Sequence, residues 1–320
     1  MSEYERYVVK RPLSAAGCAG AQGLDATRRT YLCEELVPGV GHCLEMTWVH
    51  PDDQPGRLAV ERIHDFDQAI LCIGMDWHRP QELGATVEFY LGRQCVVFNT
   101  TTLVYIPRGT PYGPLTWREF ERPYLELSLV FGSGEAGPGR MTGPACAGEV
   151  LAGAPELAAA APPPCGPDFE QYVIRSPLRE AGPTYVEGRQ NPTMTYLSRV
   201  QIPQVNNYLE FGWIWDVPRP PIPKMRHDDF DEIVVHIGSD PERPGALGGV
   251  LEFGIGDELL ELDATHCAFI PRLLDHGPLA WREVTRPHIE MAIMIGAGTL
   301  EEGWRNSFFD APDGARRGPK

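Results

Sequence analysis

Basic residues are scarce in this chain. Lys and Arg number 28 against 44 Asp and Glu, and the formal net charge at pH 7 is −16. Gripping a phosphate backbone takes a cationic footprint, so a nucleic-acid partner is excluded. Long apolar runs are missing as well. No stretch reaches the roughly 18 apolar residues from which a membrane-crossing helix is read, so no membrane partner is expected. The opening, MSEYERYVVKRPL, lacks the apolar core of a signal peptide, which makes the cytoplasm the expected location. Eight cysteines are present, but none forms a CxxC pair, and buried or incidental thiols of a reducing compartment are expected. No Gly-rich phosphate loop and no Ser/His/Asp arrangement is legible.

What is abundant is self-similarity. IPRGTPYGPLTWREFERPYLE from Ile106 returns as IPRLLDHGPLAWREVTRPHIE from Ile270, and IHDFDQAILCIG from Ile63 returns as HDDFDEIVVHIG from His227. The offset is 164 residues from Ile63 to Phe131 without a gap. Before that it is 165, where Tyr7–Leu13 matches Tyr172–Leu178 and Trp48 matches Trp213. Solenoid repeats have periods of about 20–50 residues, so this is a duplicated domain. The two copies therefore serve as controls for each other. No cysteine has a cysteine as its repeat equivalent, which argues against a duplicated disulfide framework.

The expected organisation is a first domain over residues 1–131, a Gly/Ala/Pro-rich linker over 132–167, a second domain over 168–298 and a tail over 299–320. Each domain is large enough to bury a core without staples. A short helical turn over Glu149–Ala161 is the one helix the linker suggests, and Trp304, Phe308 and Phe309 in the tail are expected to cover a domain face. Gly and Pro together number 65 of 320 residues, 34 and 31, which favours short strands and turns. Within each copy the apolar pattern has period two. Asp231–Gly238 reads as a strand with Glu232, Val234 and His236 on one face. Leu259–Ile270 reads as a strand pair turning near Asp263–Ala264. His288–Ile295 reads as a strand buried on both faces, and Trp213 and Trp215 as core or interface residues on one strand face. The fold class is all-β, with each copy a sandwich or barrel.

Three residues in the second copy have metal-ligand chemistry at informative spacings. Glu232 follows His227 by five residues, with Gly238 after the strand, and His276 follows Pro271 by five. This pattern resembles the cupin family, whose first motif is G-x5-H-x-H-x3/4-E-x6-G and whose second is G-x5-P-x-G-x2-H-x3-N. The repeat as a whole is similar to a bicupin, which implies two tandem cupin-like jelly-roll β-barrels. His227, Glu232 and Gly238 match the later part of the first motif, and Pro271 and His276 match the second. Met225 stands where the leading histidine would be, Leu273 at the inner glycine and Ala280 at the asparagine. Cupin-like proteins pair barrels through sheet edges, which a homodimer or the two halves of one chain can satisfy.

Two imidazoles and a carboxylate suit one divalent transition metal: Mn, Fe, Zn, Ni or Co. Three protein ligands leave positions open for substrate or water. Met225 is a poor fourth ligand because its sulfur is soft. The first copy has Ile63, Gln68 and Tyr112 at the three ligand positions, so the metal is expected only in the second. His64 sits one residue out of register and would point to the opposite face. His236 and His288, replaced by Cys72 and Tyr124 in the first copy, are the candidate proton-transfer residues. Arg226 and Arg272 flank the ligands and are candidates for attracting an anionic substrate. Residues common to both copies, such as Arg282, Arg286 and Glu290, are expected to serve the fold.

The expected function is metal-dependent hydrolase, isomerase or lyase chemistry on a small polar molecule bearing a carbonyl or carboxylate. With Fe(II) the same ligands would suit O2 activation by a cupin-like dioxygenase. A non-catalytic bicupin that binds a small ligand or metal is the reading from another class.

Overall fold

The computed structural model describes residues 3–14, 28–53, 61–132, 168–182, 185–305 and 307. Most of the linker, including Glu149–Ala161, lies outside them, as do Phe308, Phe309 and the last residues. Among the described residues strands dominate, the only α-helix is Leu300–Trp304, and no helix is long and apolar enough to cross a membrane. Gly/Pro punctuation and period-two alternation have their expected effect. Glu82–Leu91 and Ala246–Ile255 alternate between buried and partly exposed residues, as strands with one solvated face must. Asp231–Gly238, Tyr124–Phe131 and His288–Ile295 are almost wholly buried on both faces, in line with their near-continuous apolar sequences.

Each copy builds a large and a small antiparallel sheet in the same order. In the second copy the large sheet runs Val8–Val9, His266–Ile270, Asp231–Gly238, His288–Ile295, Asn207–Arg219, Thr193–Leu197, Leu178–Glu180. The small one runs Glu258–Ala264, Ala246–Ile255, His276–Val284. The first copy repeats this with Val173–Ile174, Thr102–Ile106, Asp67–Gly74, Tyr124–Phe131, Cys43–Val49, Arg29–Leu32, Leu13–Ser14, and with Gln94–Thr100, Glu82–Leu91, Tyr112–Arg118. Each pair of sheets encloses an apolar core, around Val87, Phe89 and Leu115 in the first copy and Leu251, Phe253 and Leu279 in the second. Fully burying one such side chain contributes about 1.5–3 kcal/mol. The fold is two tandem jelly-roll barrels.

The domain boundaries differ from those the repeat suggests. The chain divides into one unit of Pro12–Arg175 and another of Met1–Arg11 with Ser176–Lys320. The cause is a reciprocal exchange of edge strands. Val8 and Val9 pair with Ala268 and Cys267 of the second unit, and Val173 and Ile174 pair with Val104 and Leu103 of the first. The short segment that opens each repeat copy thus completes the sheet of the other unit.

Two further expectations are corrected. Glu258–Ala264 and His266–Ile270 do not form a hairpin. The first strand pairs with Ala246–Ile255 in the small sheet and the second with Asp231–Gly238 in the large one, so Thr265 is where the chain changes sheets. Its Oγ1 accepts the Gly238 N–H at 3.0 Å, as Thr101 does for Gly74 in the first unit. A Cβ on Gly238 would lie 1.8 Å from the Ala246 carbonyl oxygen, which explains the glycine. Trp213 is buried in the core, but Trp215 is 45% exposed. Pairing of its strand with His288–Ile295 ends at Ile214, while irregular pairing with Glu187–Arg189 continues to Arg219, so Trp215 lies at the open rim of the sheet.

Among the described residues the cysteines are free thiols, Cys95 exposed and Cys33, Cys43, Cys72 and Cys267 buried. Residues shared by the copies make ion pairs in both: Arg118 pairs with Glu88 as Arg282 does with the matching Glu252, whereas Arg122 and Arg286 reach acids at different positions, Glu82 at 3.1 Å and Asp240 at 3.2 Å.

Candidate metal centre

His227 lies just before the Asp231–Gly238 strand, where its backbone carbonyl accepts the Leu273 N–H at 2.7 Å. Phe230 stacks on its imidazole with centroids 4.3 Å apart. Glu232 is the second residue of that strand, and strand alternation turns it toward the interior. His276 opens the small-sheet strand His276–Val284, which pairs with Ala246–Ile255, and exchanges backbone hydrogen bonds with Met225 at 2.9 and 2.8 Å. The loop before His276 needs a left-handed residue. Leu273 takes it at φ 70°, where the first unit has Gly109 at φ 75°. This is the site of the missing inner glycine, and the local geometry survives its loss.

The three side chains converge. Glu232 Oε2 lies 3.3 Å from His227 Nε2 and 3.0 Å from His276 Nε2, and all three residues are buried. His276 Nδ1 is 3.1 Å from the Leu274 carbonyl oxygen, which only an N–H can satisfy, so Nε2 carries the lone pair. His227 Nδ1 is 3.0 Å from Ser307 Oγ. Among the described residues both Nε2 atoms and Glu232 Oε2 have no aligned hydrogen-bond partner. Burial alone would raise the Glu232 carboxyl, but the two imidazoles overcome it and hold the group below the ordinary carboxylate range. Three buried donor atoms that converge without aligned hydrogen-bond partners form a set that a cation would satisfy. A divalent metal fits this N2O set, and in the first unit His64, Gln68 and Tyr112, which take the three places, offer no such set.

Glu232 and His276 line a cavity of about 40 Å3, together with Met225, Arg189, Glu290 and Trp304. That volume holds about three waters. Arg189 was not legible from the sequence as a site residue, yet it supplies the cavity's positive charge. It pairs with Glu290 at 2.7 Å. Burial raises the carboxyls of both Glu290 and Glu210, with Arg189 opposing the shift. The hydroxyls of Thr193 and Tyr208 lie 2.7 and 3.0 Å from Glu210 Oε2. The first unit has the same buried arrangement, with Arg28 placed 3.0 Å from Glu45 and 3.5 Å from Glu126.

Other expected site residues lie apart from this cavity. His236 shares the Glu232 face but sits four residues along the strand, about 13 Å away by strand rise. Its Nδ1 is 3.0 Å from His266 Nε2, and His266 Nδ1 is 2.8 Å from the Ala264 carbonyl oxygen. Burial, reinforced by His266, His288 and Arg189, pushes His236 well below the usual histidine range. His288 accepts the Trp281 indole N–H at 2.9 Å, as the Tyr124 hydroxyl does for Trp117 at 2.5 Å in the first unit. Neither histidine lines the cavity. Arg226 pairs with Asp228 at 2.9 Å, and Arg272 is exposed; neither lines it. His64 does not take the opposite face: it is buried, meets Tyr112 at 3.4 Å and stacks on Phe66, as His227 stacks on Phe230, because the first unit is one residue shorter between the histidine and the phenylalanine.

No protein-family model matches the chain, and no curated protein matches it by sequence. In shape it is similar to Lactobacillus farciminis oxalate decarboxylase in its formate complex, at 10% identity and TM-score 0.50 over 85% of this chain and 81% of that one. The S161A mutant of Bacillus subtilis oxalate decarboxylase aligns at 10% identity and TM-score 0.48, over 85% and 73%. AerE from Microcystis aeruginosa aligns at 9% identity and TM-score 0.49, over 91% and 99%. At such identities the likeness concerns fold and not activity. Taken with the duplicated pairs of sheets, the likeness at TM-score 0.50 makes this chain a bicupin in fold, two cupin-like jelly-roll barrels in tandem.

Proposed function

We propose that the chain is a metal-dependent enzyme whose second barrel acts on a small polar molecule bearing a carbonyl or carboxylate, by hydrolase, isomerase or lyase chemistry. The observation that carries this reading is the convergence of His227 Nε2, His276 Nε2 and Glu232 Oε2, buried and unpartnered beside a cavity of about 40 Å3. A divalent ion held there would polarise a carbonyl oxygen or activate water. The remaining work falls to groups lining the same cavity. Arg189 offers a fixed planar cation against which an anionic group can lie, with Glu290 holding its guanidinium in place. Glu290, whose carboxyl burial keeps prone to protonation, is better placed to hold or move a proton than His236 or His288.

Elemental analysis of the purified protein tests this reading. The expected result is one divalent ion per chain, lost in Glu232→Ala and His276→Ala. Failure to load any divalent ion into the wild type would overturn it. Iron in the aerobically and anaerobically purified protein would turn the reading toward O2 chemistry, and Mn, Zn, Ni or Co toward the non-redox classes. If the metal-free variants keep the full biological role, the chain is a binder and not an enzyme.

A further inference from the structure

Ser307 lies beyond the repeat, yet it touches the metal centre. Its Oγ is 3.0 Å from His227 Nδ1 and 2.8 Å from the Gly303 carbonyl oxygen, and its own carbonyl accepts the Arg226 N–H at 2.9 Å. Ser307 is 1% exposed and His227 3%. A hydroxyl has one proton, and the Gly303 carbonyl can only accept it. Toward His227 the Ser307 oxygen is therefore left with lone pairs, and Nδ1 must be the donor. We propose that Ser307 is a positioning residue, which holds His227 in the Nδ1–H tautomer so that its Nε2 lone pair faces Glu232 and His276.

The segment that carries Ser307 is firmly seated. Thr299 Oγ1 accepts the Glu302 N–H at 3.3 Å and so caps the Leu300–Trp304 helix. The Glu302 carboxylate accepts the Gly298 N–H at 2.7 Å and binds Arg199 at 2.6 Å. Leu300 and Trp304 pack with Tyr208, Phe230 and Met294. Phe230 also stacks on the face of the His227 ring, so the imidazole is held on its face by Phe230 and at its edge by Ser307. His276 gets the same tautomer from a backbone carbonyl, that of Leu274. Only His227 depends on a side chain from outside the barrel repeat. In the first unit His64 takes this place, its carbonyl accepting the Gly109 N–H at 2.7 Å and its ring stacking on Phe66, but it faces Tyr112 and not a second imidazole. Orienting partners of metal-bound histidines set ligand basicity and geometry, and losing one costs about 10–100-fold in metal affinity.

This inference deepens the metal reading and rests on it for its functional meaning, so the test reads the tautomer and the metal separately. The full chain is labelled with 15N-histidine and freed of metal. Long-range 1H–15N correlations, with His227 assigned by its loss in His227→Ala, should show the Nδ1–H form in the wild type and in Ser307→Thr. In Ser307→Ala the Nε2–H form should appear, and Co(II) affinity should fall about 10–100-fold, while Ser307→Thr stays near the wild type. Ser307→Cys, which replaces the hydroxyl with a weak thiol, serves the same purpose if Ser307→Ala does not fold. An unchanged His227 tautomer together with unchanged Co(II) affinity in the Ala and Cys variants would overturn the proposal. A tautomer that responds to Ser307 in a wild type that binds no Co(II) would sustain the positioning role and sink the metal reading alone.

Discussion

Leu273 and Gly109 occupy the same left-handed position in the two units, at φ 70° and 75°, so exchanging them isolates the backbone cost of that loop. A side chain in this region costs about 1–2 kcal/mol, and glycine gives back about 0.5–1 kcal/mol through the freedom it has when unfolded. Leu273 is 63% exposed, so its removal forfeits little burial. Leu273→Gly should therefore stabilise the second unit by about 0.5–1 kcal/mol. In the first unit nothing lies within 4 Å of a Cβ built on Gly109. Gly109→Leu should thus destabilise by the same net backbone amount, about 0.5–1 kcal/mol. Urea unfolding, read as the midpoint of each unit's transition, measures both. The Leu273 N–H to His227 carbonyl bond belongs to the backbone, so metal uptake by Leu273→Gly should match the wild type. Destabilisation by Leu273→Gly, or indifference to Gly109→Leu, would refute this account of the loop.

Two other expectations concern the second unit's buried charges. Burial lowers His266 and His288 from 6.5 to about 4. Between those pH values the unfolded chain takes up protons that the folded one refuses, so this stability is full above pH 6.5 and fades as pH falls toward 4. It amounts to about 3 kcal/mol for each histidine at most. Chemical unfolding at pH 7, 5.5 and 4.5 should show the second unit's midpoint falling further than the first's, which has Thr102 and Tyr124 at these positions; equal falls would contradict the assignment. Arg189→Met leaves Glu290 and Glu210 buried without their cation and should cost about 3–5 kcal/mol at pH 7. The loss should shrink as pH falls, because raised carboxyls without their cation are relieved by taking up protons, and a loss independent of pH would argue against it.

The three converging ligands were legible because a strand's period of two fixes which face Glu232 takes, and because the duplicate shows what a barrel without ligands keeps. Depth along the strand was not legible: His236 shares Glu232's face, but a shared face says nothing about which cavity a side chain four residues on will reach. Arg189 escaped notice for a different reason. The first unit's equivalent cation, Arg28, comes from the position matched by Thr193, four residues later in register. The buried charge is kept while its source moves, so comparing residues position by position cannot find it. Ser307 had no counterpart to be compared with. The sheet change at Thr265 was misread as a hairpin because both strands alternate correctly, and pattern alone does not name a strand's partner.

The traded edge strands bear on the history of the chain. In a two-fold dimer of a single barrel with an arm at its N-terminus, each copy can lend its arm to the other. Joining the two copies end to end leaves one polypeptide in which Val8–Val9 serves the later barrel and Val173–Ile174 the earlier one, as found here. A fragment beginning at Asp168 would then lack its own edge strand and carry one meant for its neighbour, exposing the unpaired backbone of Cys267 and Ala268. Co-expressed halves should need each other's arms.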